Sequence, residues 1–288
     1  MKTRIMVVIV LIVILFVSGC GGDTPNTLQK NYKLGYGSLA LVVDEQRSPS
    51  VVYQHRPFSL ALTLYNRAGY EAKNVQVSMG SYDQTFISVP NPQQQFSSLE
   101  ARSAFTDDNG GRADLSFNGE TLDLHGSEER RENYRLYVSY DSKMEFAPTI
   151  CVNTASYSVF DAGCQMPAKP LSFSGQGAPL AITKMEEIVV GAENPELELR
   201  LHVEDKGQGK IKSMRLGQAR LGNVPLACSF RDMVVNEDKS FSFKKDKRDG
   251  EVICTATLSE KYSYDTSLFV ELLYNYEFSV ARQVTIKK

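Results

Sequence analysis

The sequence has no tryptophan, and it has only three histidines and five cysteines among its 288 residues. The histidines lie far apart in the chain, at His55, His125 and His202, and no Cys-x-x-Cys motif occurs. These absences argue against a zinc site, which needs several closely placed nitrogen and sulfur ligands. We therefore expect no zinc centre and no cofactor.

Sequence motifs of hydrolytic enzymes are also missing. Ser174 lies among glycines, but its surroundings do not match the Gly-x-Ser-x-Gly pattern of a nucleophile elbow. Ser242 and Lys245 match Ser-x-x-Lys in letters only, because the alternating Phe241 and Phe243 favour a strand over the helical turn that this pair requires. The sequence therefore predicts that the protein is not an enzyme.

The chain lacks a strong excess of charge of either sign. Its 32 basic residues are balanced by 34 acidic ones, which gives a formal net charge of −2. The most basic stretch, residues 239–248, is interrupted by Asp246. Binding to nucleic acid depends on neutralising phosphates with a basic surface. We therefore expect no nucleic-acid partner.

One long apolar run is present, and it lies at the N-terminus. Lys2 and Arg4 precede an unbroken apolar stretch over residues 5–17, and small residues then lead to Cys20. A helix of this length is too short to span a hydrocarbon core of about 30 Å, so a secretory signal is favoured over a membrane span. The ending Val-Ser-Gly-Cys resembles a prokaryotic lipobox.

The lipobox resemblance implies that residues 1–19 are removed and that the thiol of Cys20 receives a diacylglycerol group. An uncleaved single anchor with an incidental cysteine is the alternative. Both interpretations place the rest of the chain outside the membrane. We expect a protein at the extracytoplasmic face of the cell membrane, held there by its lipid.

Four cysteines remain once Cys20 is assigned to the lipid, and an even number is typical of disulfides in an oxidising compartment. Three pairings are possible. We favour those that join neighbours in the sequence, because each pair then lies within one proposed domain: Cys151 with Cys164, and Cys228 with Cys254.

Alternating apolar residues predict strands, and one such pattern occurs twice. Its first copy consists of Leu60, Leu62, Leu64, Asn66 and Gly69. Its second copy consists of Leu199, Leu201, Val203, Asp205 and Gly207. The period of two is typical of a half-buried strand, and the polar residue and glycine indicate a turn. The two copies suggest a duplicated unit of roughly 110 to 130 residues, although alternating strands also resemble one another by chance.

The strand–Asn–Gly–strand unit of residues 60–79 resembles the Ig-like modules of prokaryotic surface proteins, particularly CARDB-like adhesion modules. It departs from antibody-type domains in its lack of tryptophan and in the positions of its cysteines. The resemblance implies an all-β fold with two tandem Ig-like β-sandwich domains. The predicted organisation is a signal peptide (1–19), a lipid-anchored tether (20–33), domain 1 (34–166), a linker (167–179) and domain 2 (180–288).

Two groups of residues are candidates for binding. Asp107, Asp108 and Asn109 precede two glycines and offer the oxygen ligands that calcium prefers, but their spacing does not match an EF-hand loop, and a polar loop with turn glycines is the simpler account. Tyr262 and Tyr264 offer the large contact area that is typical of binding loops, although packing is the alternative.

The sequence favours a lipid-anchored cell-surface protein with a structural, adhesive or ligand-presenting role toward an envelope protein or glycan. The alternative is an envelope assembly factor or chaperone that captures partner strands at an open sheet edge. Residues 284–286 are the candidate edge. A surface hydrolase is a third alternative, and it requires a site assembled across the domain junction. The sequence leaves open the ligand, the oligomeric state and the choice between an archaeal and a bacterial envelope.

Overall fold

The computed structural model describes residues 31–106, 109–153, 163–191, 195–258 and 263–288. The described residues form nineteen strands and no helix, which confirms the all-β prediction. Accordingly, no helix in this part of the chain is long and apolar enough to cross a membrane. The predicted signal peptide and Cys20 lie outside the described residues. The chain from Tyr32 to Lys288 forms one compact unit.

The strands are numbered in chain order. They are β1 (Leu39–Val43), β2 (Val51–Tyr53), β3 (Pro57–Asn66), β4 (Ala72–Gly80), β5 (Ile87–Ser88), β6 (Gln93–Leu99), β7 (Arg112–Thr121), β8 (Glu129–Phe146), β9 (Thr149–Asn153), β10 (Leu171–Ser172), β11 (Leu180–Val190), β12 (Glu196–Asp205), β13 (Lys210–Leu221), β14 (Val224–Pro225), β15 (Ala227–Arg231), β16 (Met233–Val235), β17 (Phe241–Phe243), β18 (Asp249–Thr257) and β19 (Ser263–Lys287).

Three sheets organise these strands. A four-stranded sheet has the order β1-β3-β7-β5, and a five-stranded sheet has the order β10-β11-β12-β18-β15. A ten-stranded sheet follows the order β16-β17-β13-β19-β8-β4-β6, with β14, β2 and β9 pairing beside it. Each of the two smaller sheets therefore comes from one half of the chain, whereas the largest sheet contains strands of both halves.

The core forms where alternating side chains of the smaller sheets turn inward. Leu60, Leu62 and Leu64 of β3 are 2%, 1% and 0% exposed, as their period of two predicts. Each buried leucine contributes about 2 kcal/mol of hydrophobic free energy. Their counterparts on β12, Leu199 and Leu201, are fully buried. The half-buried strands predicted around both copies of the pattern are therefore present.

The longest pairing in the molecule joins the two halves. β8 and β19 are antiparallel neighbours from Val270 opposite Phe146 to Lys287 opposite Glu129. β19 begins beside β9 of the first half, then lies beside β13 of the second half from Leu268, and its last residues lie beside the first half of β8. The predicted domain boundaries place β8 and β19 in different domains, so their pairing crosses the predicted division. The number of domains stays a prediction.

Both disulfides favoured by the sequence are present. Cys151 on β9 bonds to Cys164, with their Cα atoms 5.6 Å apart. Cys228 and Cys254 face each other across the paired strands β15 and β18, and their Cα atoms are 4.0 Å apart. The second bond therefore fixes the edge strand of the five-stranded sheet to its neighbour.

Candidate functional site

The candidate binding element is β6, which lies at one end of the ten-stranded sheet. β6 reads Gln-Gln-Gln-Phe-Ser-Ser-Leu and contains neither a charged residue nor proline. It pairs antiparallel with β4, from Gln93 opposite Ser78 to Leu99 opposite Ala72, and no second strand pairs with it within the described ranges. Its outer row of backbone groups is therefore available to another strand.

The side chains of β6 hold it in place without closing its edge. Leu99 is buried, and Phe96 packs half-buried against the core. Gln94 donates a hydrogen bond from Nε2 to the backbone oxygen of Ser116 on β7, in the opposite sheet. Gln95 and the serines that follow Phe96 are exposed. One face of β6 therefore belongs to the sandwich, whereas its edge and its other face lie at the surface.

The opposite end of the ten-stranded sheet is built differently. β16 has three residues and pairs with β17, and its Val235 is 66% exposed to solvent. Charged pairs flank it, because Lys244 contacts Asp232 at 2.8 Å and Arg231 is bonded to Glu251. Short edge strands and nearby charges are the usual protections of a sheet edge. β6 is longer, at seven residues, and has no charge or proline within it, with Pro92 directly before it and Glu100 directly after it.

The edge predicted from the sequence at residues 284–286 is wrong for Thr285 and Ile286. Val284 lies opposite Glu132 of β8, and Thr285 and Ile286 also pair on their other side with Val51 and Val52 of β2. Strand partners therefore cover Thr285 and Ile286 on both sides, whereas Val284 is paired on one side. Alternation alone identified the strand, but the long-range pairing that decides whether it is an edge has no local signal.

The calcium candidates are not brought together by the described structure. Asp107 and Asp108 lie outside the described residues, and Asn109 lies in a turn. The one cluster with metal-ligand geometry in the described chain combines Asp265 with Cys151 and Cys164. The two sulfurs of that cluster are bonded to each other, so they offer no thiolate to a metal.

Only one of the two tyrosine candidates lies within the described residues. Tyr262 lies outside the described residues, whereas Tyr264 lies on β19 opposite Val152 and is 38% exposed. Tyr274 and Tyr276 are buried core residues. Burial raises the pKa of Tyr276 to about 12, so its hydroxyl is protonated at physiological pH. Tyr264 is thus the described member of the candidate pair, and it is part of a strand rather than of a loop.

The histidine with the richest polar surroundings is His202 on β12. Its Nε2 lies 3.4 Å from a carboxylate oxygen of Glu204 and 3.9 Å from one of Asp249. The Thr183 hydroxyl donates to the same Glu204 oxygen at 2.5 Å, rather than to the imidazole. The arrangement is a surface polar network in which the carboxylate is the shared acceptor. It does not place a hydroxyl beside a histidine base, as nucleophilic catalysis requires.

Comparisons with known proteins give distant similarities only. No family model matches the chain, and no curated protein matches it. The secreted serine protease VesC from Vibrio cholerae is 13% identical over 86% of this chain, with a TM-score of 0.23. The E. coli chaperone DraB is 13% identical over 80% of this chain and 95% of its own, with a TM-score of 0.21.

A C-terminal domain of the Streptococcus agalactiae AgI/II polypeptide BspA is 9% identical over 87% of this chain and all of its own, with a TM-score of 0.14. The chain spans 51% of the length of the VesC chain and 66% of the protein pT26-6p, another structure that it resembles. TM-scores of this size do not establish a shared fold, so the functional argument rests on the residues of this chain.

Proposed function

We propose that this protein is a lipid-anchored, non-enzymatic component of the cell surface with a structural or adhesive role toward an envelope protein or glycan. The lipobox-like ending at Cys20 supports attachment to the extracytoplasmic face of the membrane. The two disulfides support an oxidising compartment, because such bonds persist mainly outside the cytoplasm.

The observation that carries the binding role is the open, uncharged edge of β6. Natural sheets usually protect their edges with charge, proline, a bulge or a short strand, because an unprotected edge pairs with other chains. β6 is seven residues long and carries none of these charges or prolines. An edge of this kind fits a partner that adds a strand to the sheet.

A second candidate function, an envelope assembly factor or chaperone, is favoured by the same edge. An adhesive contact retains its partner, whereas an assembly factor releases it into a larger structure. The two functions therefore differ in what co-purifies with the protein. Co-purification of a mature, assembled envelope component would support the adhesive role. Co-purification of newly made, unassembled subunits would support the role of an assembly factor.

The edge is tested by a pull-down in which the mature chain is fixed to a support and exposed to envelope extract. The double variant Gln95→Lys and Ser97→Lys places charge on β6, and we expect it to abolish retention of the partner. Asn118→Lys is the matched control, because Asn118 is exposed on β7, an inner strand of the four-stranded sheet. Equal retention by both variants contradicts binding at β6.

The anchor is tested separately by membrane fractionation. We expect Cys20→Ala to abolish lipid attachment and to shift the protein from the membrane fraction, because stable anchoring requires the acyl chains. A Cys20→Ala form that is still processed and membrane-bound contradicts the lipoprotein assignment.

A further inference from the structure

One edge of β19 lacks a strand partner between two paired segments. β13 pairs with β19 as far as Glu277, and β2 begins to pair with it at Thr285. β8 occupies the other edge throughout this stretch. Residues 278–284 therefore present a row of backbone groups that no strand of the described chain uses.

The open edge of β1 borders the same space. β1 pairs with β3 alone among the described strands. Residues 39–41 of β1 and residues 278–280 of β19 line a cavity of about 450 Å³. This volume is within the range of ligand sites in proteins. We refer to this cavity between the two strand edges as the β1–β19 cleft.

The lining of the β1–β19 cleft is basic. Arg67, Arg102 and Lys206 contribute to it, and none of its described lining residues is an aspartate or a glutamate. Lys206 is bonded to Glu204, outside the lining. The chain as a whole has a formal charge of −2, so this concentration of positive charge is local. It favours an anionic ligand.

Arg102 has an unmet hydrogen-bonding requirement. Its Nη2 donates to the backbone oxygen of Tyr32 at 3.2 Å. Its Nε is buried, and no described residue accepts a hydrogen bond from it. A buried donor of a charged group without an acceptor costs free energy, and a carboxylate is one of the acceptors with which a guanidinium forms its strong, often bidentate, hydrogen bonds.

We propose that the β1–β19 cleft binds an extended, acidic peptide segment of a partner protein. The open strand edges select an extended backbone, because they offer main-chain donors and acceptors in register. Arg67 and Arg102 select carboxylates on that segment. The cleft is distinct from β6, so this inference holds or fails independently of the proposed contact at β6.

The test uses the complete mature chain carrying Cys20→Ala and three fluorescein-labelled peptides of four dipeptide repeats each: Glu-Val, Gln-Val and Lys-Val. Binding is measured by fluorescence anisotropy at matched ionic strength. We expect the Glu-Val peptide to bind at least about tenfold more tightly than the Gln-Val peptide, since hydrogen bonds between charged groups are the stronger ones. We expect the Lys-Val peptide not to bind.

Single variants locate the site. We expect Arg67→Gln to lower the affinity for the Glu-Val peptide about tenfold, because it removes one charged contact. Arg67 is exposed, so the variant is expected to fold, and its thermal unfolding midpoint checks this. Arg131→Gln is the control, because Arg131 lies on β8 outside the cleft with its side chain 70% exposed. We expect it to leave the affinity within twofold of the parent.

A further peptide separates strand pairing from simple attraction of an anion. Methylation of alternate backbone nitrogens of the Glu-Val peptide keeps its charge but removes the donors that pair with a strand edge. We expect this peptide to lose binding, and inorganic phosphate not to displace the unmodified peptide.

Four results would each overturn the proposal. They are equal binding of the Glu-Val and Gln-Val peptides, no binding of any peptide, an unchanged affinity in Arg67→Gln, and full binding of the methylated peptide. The double variant Gln95→Lys and Ser97→Lys is expected to bind the Glu-Val peptide normally. This result keeps a failure at the cleft separate from a failure at β6.

Discussion

Two strands of the molecule end in equivalent buried turns that different polar groups stabilise. β3 ends at Asn66 and β12 ends at Asp205, and these side chains are 0% and 5% exposed. Asn66 Oδ1 accepts a hydrogen bond of 3.0 Å from the backbone N–H of Ala68, and Asp205 Oδ1 accepts one of 3.1 Å from Gly207. Each side chain thus closes the turn two residues after itself.

The remaining partners of Asn66 are acceptors. Its Nδ2 donates to the backbone oxygens of Tyr70 and Leu99, at 2.9 Å and 3.0 Å. An amide fits this site because it offers donors on one side and an acceptor on the other. A carboxylate offers no donor to these two carbonyl groups.

The remaining partners of Asp205 are donors. Its Oδ2 accepts from the backbone N–H of Ile211 at 3.3 Å, and Arg248 Nη2 lies 3.0 Å from Oδ1. Burial raises the pKa of the Asp205 carboxyl, and Arg248 and the two N–H groups offset only part of that effect. The comparison shows that the turn accepts either residue, and that the groups around it decide which one.

The largest effect is expected from Asn66→Asp. This change places a carboxylate in a fully buried site against the two carbonyl oxygens of Tyr70 and Leu99 and removes both donors. We expect the free energy of unfolding at pH 7 to fall by about 4 kcal/mol, as for an unpaired buried charge. Urea unfolding measures it. A loss below about 1 kcal/mol would show that the carbonyl groups around Asn66 do not select the amide.

The next effect is expected from removing the disulfide that lies beside the Asp205 strand. Cys254 is opposite Leu199 of β12, and the strands of the four-stranded sheet around Asn66 contain no cysteine. We expect the double variant Cys228→Ala and Cys254→Ala to lose about 3 kcal/mol, the value for a loop of this length.

Hydrogen exchange distinguishes a local from a global effect of this double variant. We expect protection to fall most in β15 and β18 and least in β3. An equal loss of protection in β3 would show that the two halves unfold as one unit, and it would argue against two domains that fold separately.

The reciprocal exchange, Asp205→Asn, is expected to cost less than Asn66→Asp. The amide keeps one acceptor for the turn but turns its donors toward the N–H of Ile211 or the guanidinium of Arg248. We expect a loss of about 2 kcal/mol in urea unfolding, since one hydrogen bond to a charged group is removed and one donor loses its acceptor. A stabilised variant would indicate that the cost of burying the charge outweighs its bonds.

The smallest effect is expected at Glu187, a carboxylate on β11 without the bonds that Asp205 has. Both of its side-chain oxygens are buried, and no described residue donates to them. Burial raises its pKa from the usual 4.5 to about 7. Because the folded-state pKa is the higher one, its contribution to stability is complete below pH 4.5 and is lost as the pH rises through about 7.

The Glu187 effect is measured from unfolding curves between pH 4 and pH 8. We expect Glu187→Gln to flatten the fall in stability over this interval and to be more stable than the parent protein at the upper end. Glu186→Gln is the control, because Glu186 faces Arg200 at 3.5 Å and is 46% exposed. The same flattening in Glu186→Gln would remove Glu187 as the source of the pH dependence.

The sequence predicted the local elements of this comparison well. The alternation of Leu60, Leu62 and Leu64 predicted β3, and the matched positions of Asn66 and Asp205 were predicted as turns that end equivalent strands. Both disulfides followed from pairing neighbouring cysteines. These features depend on contacts close in sequence, which residue patterns record directly. Duplication of the unit stays a prediction.

The long-range features could not be predicted in the same way. Residues 284–286 have the pattern of an edge strand, but strands from distant parts of the chain cover Thr285 and Ile286 on both sides. The cations of the β1–β19 cleft, Arg67, Arg102 and Lys206, come from separate parts of the chain and form no motif. β6 was not predicted, because strands were identified from alternating apolar residues and β6 consists mainly of glutamine and serine.

The pairing of β19 with β8 has a consequence for the order of events during synthesis. The first half of β8 lies beside the last residues of the chain, with Lys287 opposite Glu129. The first half of β8 therefore keeps one edge unpaired until the last residues of β19 have been synthesised. An unpaired edge in a nascent chain is a site of misassembly and aggregation. A stop codon within β19 would leave the part of that edge opposite the lost residues exposed for the lifetime of the protein, although it removes none of the residues that precede β19.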